Sequence, residues 1–233
     1  MSALVGRGLR VTLGGRPVVD GVDLEARAGA VIGVLGANGA GKSTLFRLLT
    51  GDLRASEGAV TLLGEDVTAL PLHLRARRGL GWLPQREVLF PELDLHDNVA
   101  LAAELSGHRD VDLAACLARV GLAGMGARDV RTLSGGERRR ATFARLLAQR
   151  AKVALVDEPF AGVDPIGVAD LRALLRGLAD DGLAVLLTDH AVDATLAACD
   201  EVLILDRGAV VARGTPEVVR RDPEARARYF GGA

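Results

Sequence analysis

The amino-acid sequence predicts an α/β fold with a mostly parallel sheet, and three observations carry that prediction. Short apolar runs of strand length alternate with stretches of helical spacing. An alternating pattern opens the chain and a hairpin-like pattern lies near its end, which adds antiparallel pieces to the core. Between them, a segment of helix-spaced apolar residues separated by glycines interrupts the alternation.

Taken in order, Leu9, Val11 and Leu13 share one face of a first strand, and Val22, Leu24 and Ala26 repeat the pattern after a Gly14-Gly15 turn. Residues 30–35 form a continuous apolar run ending at Gly36, as expected of a strand buried on both faces. Residues 43–50 read as the helix that follows, and 58–63 and 80–85 as two further strands. Helical spacing over 97–105 and 112–120 marks an inserted helical subdomain. The chain is therefore expected to be one domain over 1–233, with a core of 1–85 and 133–233 and the helical subdomain at 86–132. Residues 136–149 and 166–178 read as helices, and 153–156 and 184–187 as buried strands. Residues 201–205 and 209–213 flank Arg207-Gly208 as a hairpin.

A length of 233 residues gives room for one globular domain with a substantial core. With 29 basic against 30 acidic residues, no basic field points to nucleic acid and no acidic block to a disordered tail. The basic residues are almost all arginine: the lysines are Lys42 and Lys152, and Lys42 sits in a glycine-rich loop. Cys116 and Cys199 make no metal-ligand spacing and are expected as buried thiols of a reducing cytoplasm. The start shows no signal-peptide pattern, and no apolar run approaches the roughly 20 residues that span a bilayer. Any membrane role is expected to come through a partner.

Gly36-Ala37-Asn38-Gly39-Ala40-Gly41-Lys42-Ser43-Thr44 fits the P-loop pattern, between a buried strand and a helix as its mechanism requires. Gly36, Gly39 and Gly41 let backbone N–H groups turn inward around Asn38 and approach phosphate oxygens. The helix start adds partial positive charge. Lys42 is suited to reach the β- and γ-phosphates, the Ser43 hydroxyl to hold Mg²⁺, and Thr44 to add a further contact. A glycine-rich turn with an exposed lysine is the blander alternative, and the strand and helix on either side weigh against it.

Asp157 and Glu158 end the buried run Val153-Ala154-Leu155-Val156, where ligands of doubly wound sheets collect. Asp157 is suited to Mg²⁺ through water, and Glu158 to polarise an attacking water as general base. His190 follows the next buried strand and can contact a γ-phosphate; Gln85 ends another and can bind Mg²⁺ or water. Either residue alone is weak. Leu133-Ser134-Gly135-Gly136-Glu137 is a second glycine-rich element opening a helix, with a hydroxyl and free backbone N–H groups.

In that order these motifs resemble the ABC ATPases across essentially the whole chain. The resemblance implies a P-loop NTPase of RecA-like core with an N-terminal antiparallel β-subdomain, using ATP and Mg²⁺. It makes Lys42 and Ser43 the Walker A contacts, with Ser43, Gln85 and Asp157 about Mg²⁺. Glu158 becomes the catalytic base, Asp164 the D-loop aspartate, and His190 the switch histidine. Two cassettes would pair head to tail, Ser134 and Gly136 of one closing over the γ-phosphate held by the other. Integral membrane subunits would dock in a groove near Leu89, Phe90 and Pro91, where core packing is the alternative for any one residue. The place implied is the cytoplasmic face of the inner membrane, with no nucleic acid involved. The family usually stacks an aromatic on adenine near the position of Leu13, but Arg10 to Arg16 holds none, which leaves the base to an aliphatic contact or to a contact from elsewhere in the chain, and leaves both ATP and GTP as nucleotides.

Within the family, residues 157–166 and 134–140, Leu83-Pro84-Gln85, Thr188-Asp189-His190, Gly214-Thr215-Pro216 and Tyr229-Phe230-Gly231 are similar to the lipopolysaccharide-export cassettes. Branched-chain amino-acid import cassettes share this likeness. Residues 86–132 resemble the export group only weakly apart from Asp97-Asn98. Lipopolysaccharide export is the cargo this likeness implies; amino-acid import and a soluble iron–sulfur assembly ATPase are the alternatives. Arg138-Arg139-Arg140 reads as a solvated helix face with ion pairs rather than a lipid-headgroup site.

Overall fold

The computed structural model describes residues 1–85 and 89–230. Its strands in chain order are β1 (Ser2–Leu13), β2 (Arg16–Arg27), β3 (Val31–Leu35), β4 (Glu57–Leu62), β5 (Glu65–Asp66), β6 (Leu80–Leu83), β7 (Val153–Asp157), β8 (Ala184–Thr188), β9 (Glu201–Asp206) and β10 (Ala209–Gly214). The α-helices are α1 (Lys42–Thr50), α2 (Leu72–Ala76), α3 (Leu95–Leu105), α4 (Leu113–Arg119), α5 (Gly135–Ala148), α6 (Pro165–Asp180), α7 (Val192–Ala198), α8 (Pro216–Arg221) and α9 (Pro223–Ala225). A 3₁₀ turn (Val130–Thr132) precedes α5, and a π turn (Arg226–Phe230) follows α9.

Two sheets form. One is antiparallel in the order β2-β1-β4-β5; the other runs β10-β9-β3-β8-β7-β6 and is parallel except for the β9–β10 hairpin. The parallel strands are apolar on both faces because each face has its own core. In β3, Val31 and Leu35 join the core with α3, α5 and α6, while Ile32 and Val34 join the core with α1 and the antiparallel sheet. In β7 and β8, Ala154, Val156, Val185 and Leu187 point to the first core, and Val153, Leu155, Ala184 and Leu186 to the second. The two-residue period of a strand produces this split, which sets the C-terminal ends of β3, β7 and β8 side by side.

Where the structure departs from the sequence-based expectations, local chemistry supplies the reason. The strand expected over 80–85 stops at Leu83, because Pro84 has no N–H to continue the ladder, and Gln85 lies in an exposed bend beyond it. The helix expected from 97 begins at Leu95, since the Asp94 carboxylate caps it by accepting the Asp97 N–H at 2.8 Å. Leu13 does not share the buried face of Leu9 and Val11. It is 40 % exposed at the end of the β1–β2 hairpin, after register shifts between Leu9 and Arg10 and between Val11 and Thr12. Cys199 is buried but Cys116 only half-buried; burial raises the pKa of both thiols. The expected solvated arginine face of α5 is not one: Arg139 is buried, and Arg138 turns back to donate to the Leu133 carbonyl. Arg86 at the expected start of the helical subdomain, and Gly231, lie outside the described residues.

Two buried polar side chains organise the frame around the site. Arg75, 2 % exposed, donates from its guanidinium to the carbonyls of Leu48 (2.9 Å), Leu49 (2.7 Å), Leu70 (2.8 Å) and Thr68 (3.0 Å). It thus closes the C-terminal end of α1, whose carbonyls have no partner within the helix. Asn98, fully buried, donates to the carbonyls of Phe90 (3.0 Å), Leu93 (3.2 Å) and Asp94 (2.9 Å) and accepts the Phe90 N–H at 2.8 Å. This fixes the turn that leads into α3, which packs with α4 against α5.

Candidate active site

The loop from Gly36 to Gly41 joins β3 to α1 and is built by close backbone approach. A Cβ on Gly36 would stand 2.3 Å from the Leu205 carbonyl oxygen, and one on Gly41 2.5 Å from that of Val18. Gly41 also has φ 108°, a left-handed conformation that strains other residues, and it caps α1 without any side chain. The first N–H groups of α1 therefore remain available to an anion, where the helix dipole favours one. Behind the loop, Gly208 in the β9–β10 turn donates its N–H to the Ala40 carbonyl at 2.9 Å and braces the loop. Asn38, Gly39, Ser43, Thr44 and Lys42 line one cleft together with Val18, Glu158 and His190. Ser43 is exposed and Thr44 half-buried.

Lys42 is 7 % exposed, and its ammonium donates to the carbonyls of Gly36 (2.7 Å) and Ala37 (3.1 Å). Burial lowers its pKa, opposed by the carboxylates of Glu158 and Asp157. It is thus a desolvated cation folded back on its own loop and facing two acids.

Those acids end β7. Asp157 Oδ1 accepts a hydrogen bond from the Thr188 hydroxyl at 2.6 Å, which orients the carboxylate from the neighbouring strand. Glu158 follows in the left-handed region with φ 51°, and its N–H extends the ladder to the Thr188 carbonyl at 2.8 Å. That reversal aims its side chain away from that of Asp157. The Glu158 carboxylate accepts a hydrogen bond from Gln85 Nε2 and meets His190 Nε2 at 2.7 Å. Gln85, Glu158 and His190, separated widely in sequence, converge on one carboxylate whose side chain is 13 % exposed.

Asp189, 1 % exposed, was not singled out from the sequence, yet it ties two loops together. Its Oδ2 accepts the Phe160 N–H at 2.7 Å, and its Oδ1 accepts the Ala191 N–H at 2.8 Å. The turn after Glu158 and the turn carrying His190 are therefore fixed to one side chain. Its place directly before His190 was the available signal. Thr188 and Val18 were likewise missed, because their roles depend on cross-strand register.

Ser134, Gly136 and Asp164 lie apart from this cleft. Ser134 caps α5 in a reciprocal box: Ser134 Oγ accepts the Glu137 N–H at 3.2 Å, and Glu137 Oε2 accepts the Ser134 N–H at 2.7 Å. That backbone N–H, with the Ser134 hydroxyl, holds the Glu137 pKa below its ordinary value. Ser134 and Gly136 are exposed at the start of α5. Asp164 caps α6 by accepting the N–H groups of Ile166 and Gly167, each at 3.0 Å, which lowers its pKa. Next to it, Ile166 is 77 % exposed. Elsewhere, Leu89 packs half-buried against the core, and Phe90 is 38 % exposed with the Arg145 guanidinium 5.5 Å over its ring.

A family profile described as ABC transporter matches residues 19–161. A probable ABC transporter ATP-binding protein of Azorhizobium caulinodans is 42 % identical over 98 % of the chain and 83 % of its own length. The lipopolysaccharide export system ATP-binding protein LptB of Escherichia coli K12 is 39 % identical over 99 % of the chain and 98 % of its own length. Among solved structures, the ADP conformation of MJ1267, an ATP-binding cassette of an ABC transporter, superposes with a TM-score of 0.88 at 25 % identity, with 100 % of both chains covered. A dimeric post-hydrolysis state of the cassette MJ0796 with ADP and phosphate superposes at 0.78, at 22 % identity, over 91 % of this chain and 98 % of that one.

Proposed function

Since the chain belongs to the ABC transporter ATP-binding family and is a nucleotide-binding ATPase, we propose that it is the motor of a lipopolysaccharide exporter. In this reading it works as a head-to-tail dimer on the cytoplasmic face of the inner membrane. The convergence of Gln85 and His190 on Glu158, at the rim of the P-loop cleft, carries the mechanism. Glu158 takes a proton from the attacking water, His190 holds that water in line with the γ-phosphate, and Lys42 leaves the Gly36 and Ala37 carbonyls to meet the β- and γ-phosphates. Glu158 and Lys42 each hold hydrogen-bond partners within the protein, and in this mechanism Lys42 exchanges its carbonyls for phosphate oxygens.

The oxygen-rich set of Ser43, Asp157 and Gln85 suits a hard cation, with Thr188 holding one oxygen of Asp157 in place. Mg²⁺ bound there would neutralise charge building on the phosphoryl oxygens. Ser134 and Gly136 face outward on the N-terminus of α5, which supports their closing over ATP held by a second copy. Asp164 and the exposed Ile166 beside it suit the same contact. The unit spanning 86–132 is taken as the helical subdomain, and the segment at Leu89 and Phe90, fixed by Asn98, as the place where a membrane subunit docks. No helix among the described residues is long and apolar enough to cross a membrane, so the transport path belongs to the partner. Likeness to LptB over 98 % of that protein's length supports the cargo.

Affinity purification from detergent-solubilised native membranes, with mass spectrometry of the bound proteins, tests this reading. Lipopolysaccharide-transport membrane subunits should be recovered. Amino-acid permeases instead would overturn the cargo while keeping the motor, and recovery of soluble assembly factors alone would overturn the transport role.

A further inference from the structure

Three backbone segments meet behind the phosphate loop: the loop itself, β2 and the turn between β9 and β10. That hairpin pairs Asp206 with Ala209, and its two central residues, Arg207 (φ 46°) and Gly208 (φ 85°), both take the left-handed conformation of a tight hairpin turn. The buried Gly208 reaches two ways from there. Its N–H donates to the Ala40 carbonyl of the phosphate loop at 2.9 Å, and its carbonyl accepts the Asp20 N–H of β2 at 2.8 Å. The Val18 carbonyl of β2 lies in the same contact: a Cβ on Gly208 would stand 2.7 Å from it, and one on Gly41 2.5 Å. Val18 and residues 38–44 line the same cleft.

We propose that Gly208 is a positioning residue for ATP binding: it sets the spacing between β2 and the phosphate loop, the two backbone segments that line the cleft beside Lys42. The inference rests on the reading of this cleft as the ATP site. Ladder pairing does not hold the two segments together. β2 belongs to the antiparallel sheet, whereas the loop continues β3 of the other sheet. Gly208 sits in a hairpin of the loop's own sheet and bonds across to β2, so one residue ties both. A side chain there must displace either the Val18 carbonyl or the turn, and a displaced turn loosens the bond to Ala40. Pre-organisation of this kind acts on affinity, because an unbraced loop must be ordered when the nucleotide binds.

Gly208→Ala in the full chain should weaken binding of a fluorescent ATP analogue about two- to tenfold, the size of one neutral hydrogen bond. In steady-state hydrolysis the loss should appear in KM for ATP rather than in kcat. Gly182→Ala is the matched control. Gly182 has φ 98° and open space around it, in the turn that precedes β8, at the opposite end of that strand from His190. The variant carries the same kind of backbone strain away from the cleft and should keep the wild-type affinity. Equal Kd for the two variants overturns the inference. Lys42→Ala run alongside separates the inference from the reading beneath it: if it too binds like the wild type, the ATP site is not this cleft and the inference falls with it. If Gly208→Ala does not fold, hydrogen exchange on the wild-type chain decides. A saturating ATP analogue should slow exchange of the Gly208 and Asp20 amides, because a ligand held only by the closed junction suppresses its opening. Unchanged exchange at those amides overturns the positioning role.

Discussion

At the scale of single residues, the site is a set of charged groups held by hydrogen-bond partners within the protein. Lys42 illustrates the balance: burial disfavours its charge, and the Gly36 and Ala37 carbonyls, with Asp157 and Glu158 nearby, compensate. A desolvated ammonium is costly at rest and correspondingly effective when phosphate arrives. Lys42→Ala should weaken ATP binding by roughly ten- to a hundredfold, the contribution of a charge-assisted hydrogen bond. Titration with a labelled ATP analogue reads this directly, and unchanged affinity would remove Lys42 from the phosphate site. Each residue of this set was legible in the sequence because its motif is local: a glycine-rich loop between strand and helix, or an acid pair ending an apolar run. Thr188 and Asp189 were not, since what they touch is fixed by the pairing of β7 with β8 and by the turns that follow those strands.

At the scale of elements, the strands and long helices follow from periodicity and capping. Residues 153–156 and 184–187 are apolar throughout because each face meets a separate core, and α6 starts where Asp164 and Pro165 make a cap followed by a first-turn proline. The short pieces α2, α7 and α9 escaped sequence reading because so few turns leave no clear period. Arg75 in α2 is the consequential miss. Its guanidinium closes the C-terminus of α1, and α1 carries Lys42 at its other end. Arg75→Leu removes the guanidinium donor from four carbonyls, the buried ones of Leu48 and Leu49 and the part-buried ones of Thr68 and Leu70, and should cost about 3 kcal/mol. In a chain of this size that lowers the thermal midpoint by about 6 °C or more. Scanning calorimetry of the nucleotide-free protein checks it, and an unchanged midpoint would mean that α1 is held by its apolar face alone.

At the scale of the whole molecule, the two elements proposed to bind phosphate do not meet within one chain. The cleft joins the P-loop to Glu158 and His190, while Ser134 and Gly136 sit exposed elsewhere at the start of α5. In the proposed motor, a second copy in head-to-tail arrangement would bring each exposed α5 N-terminus to the other's cleft, and hydrolysis would then release the pair. Glu158→Gln separates assembly from chemistry, because glutamine keeps the side-chain shape and loses the base. The decisive measurement is sedimentation of Glu158→Gln with and without Mg-ATP, alongside its rate of phosphate release. The mechanism predicts a monomer without nucleotide, a stable dimer with ATP, and hydrolysis slowed by about a hundredfold or more. A chain that stays monomeric with ATP, or that hydrolyses it at the wild-type rate, would contradict the assignment of Glu158 and the head-to-tail motor built on it.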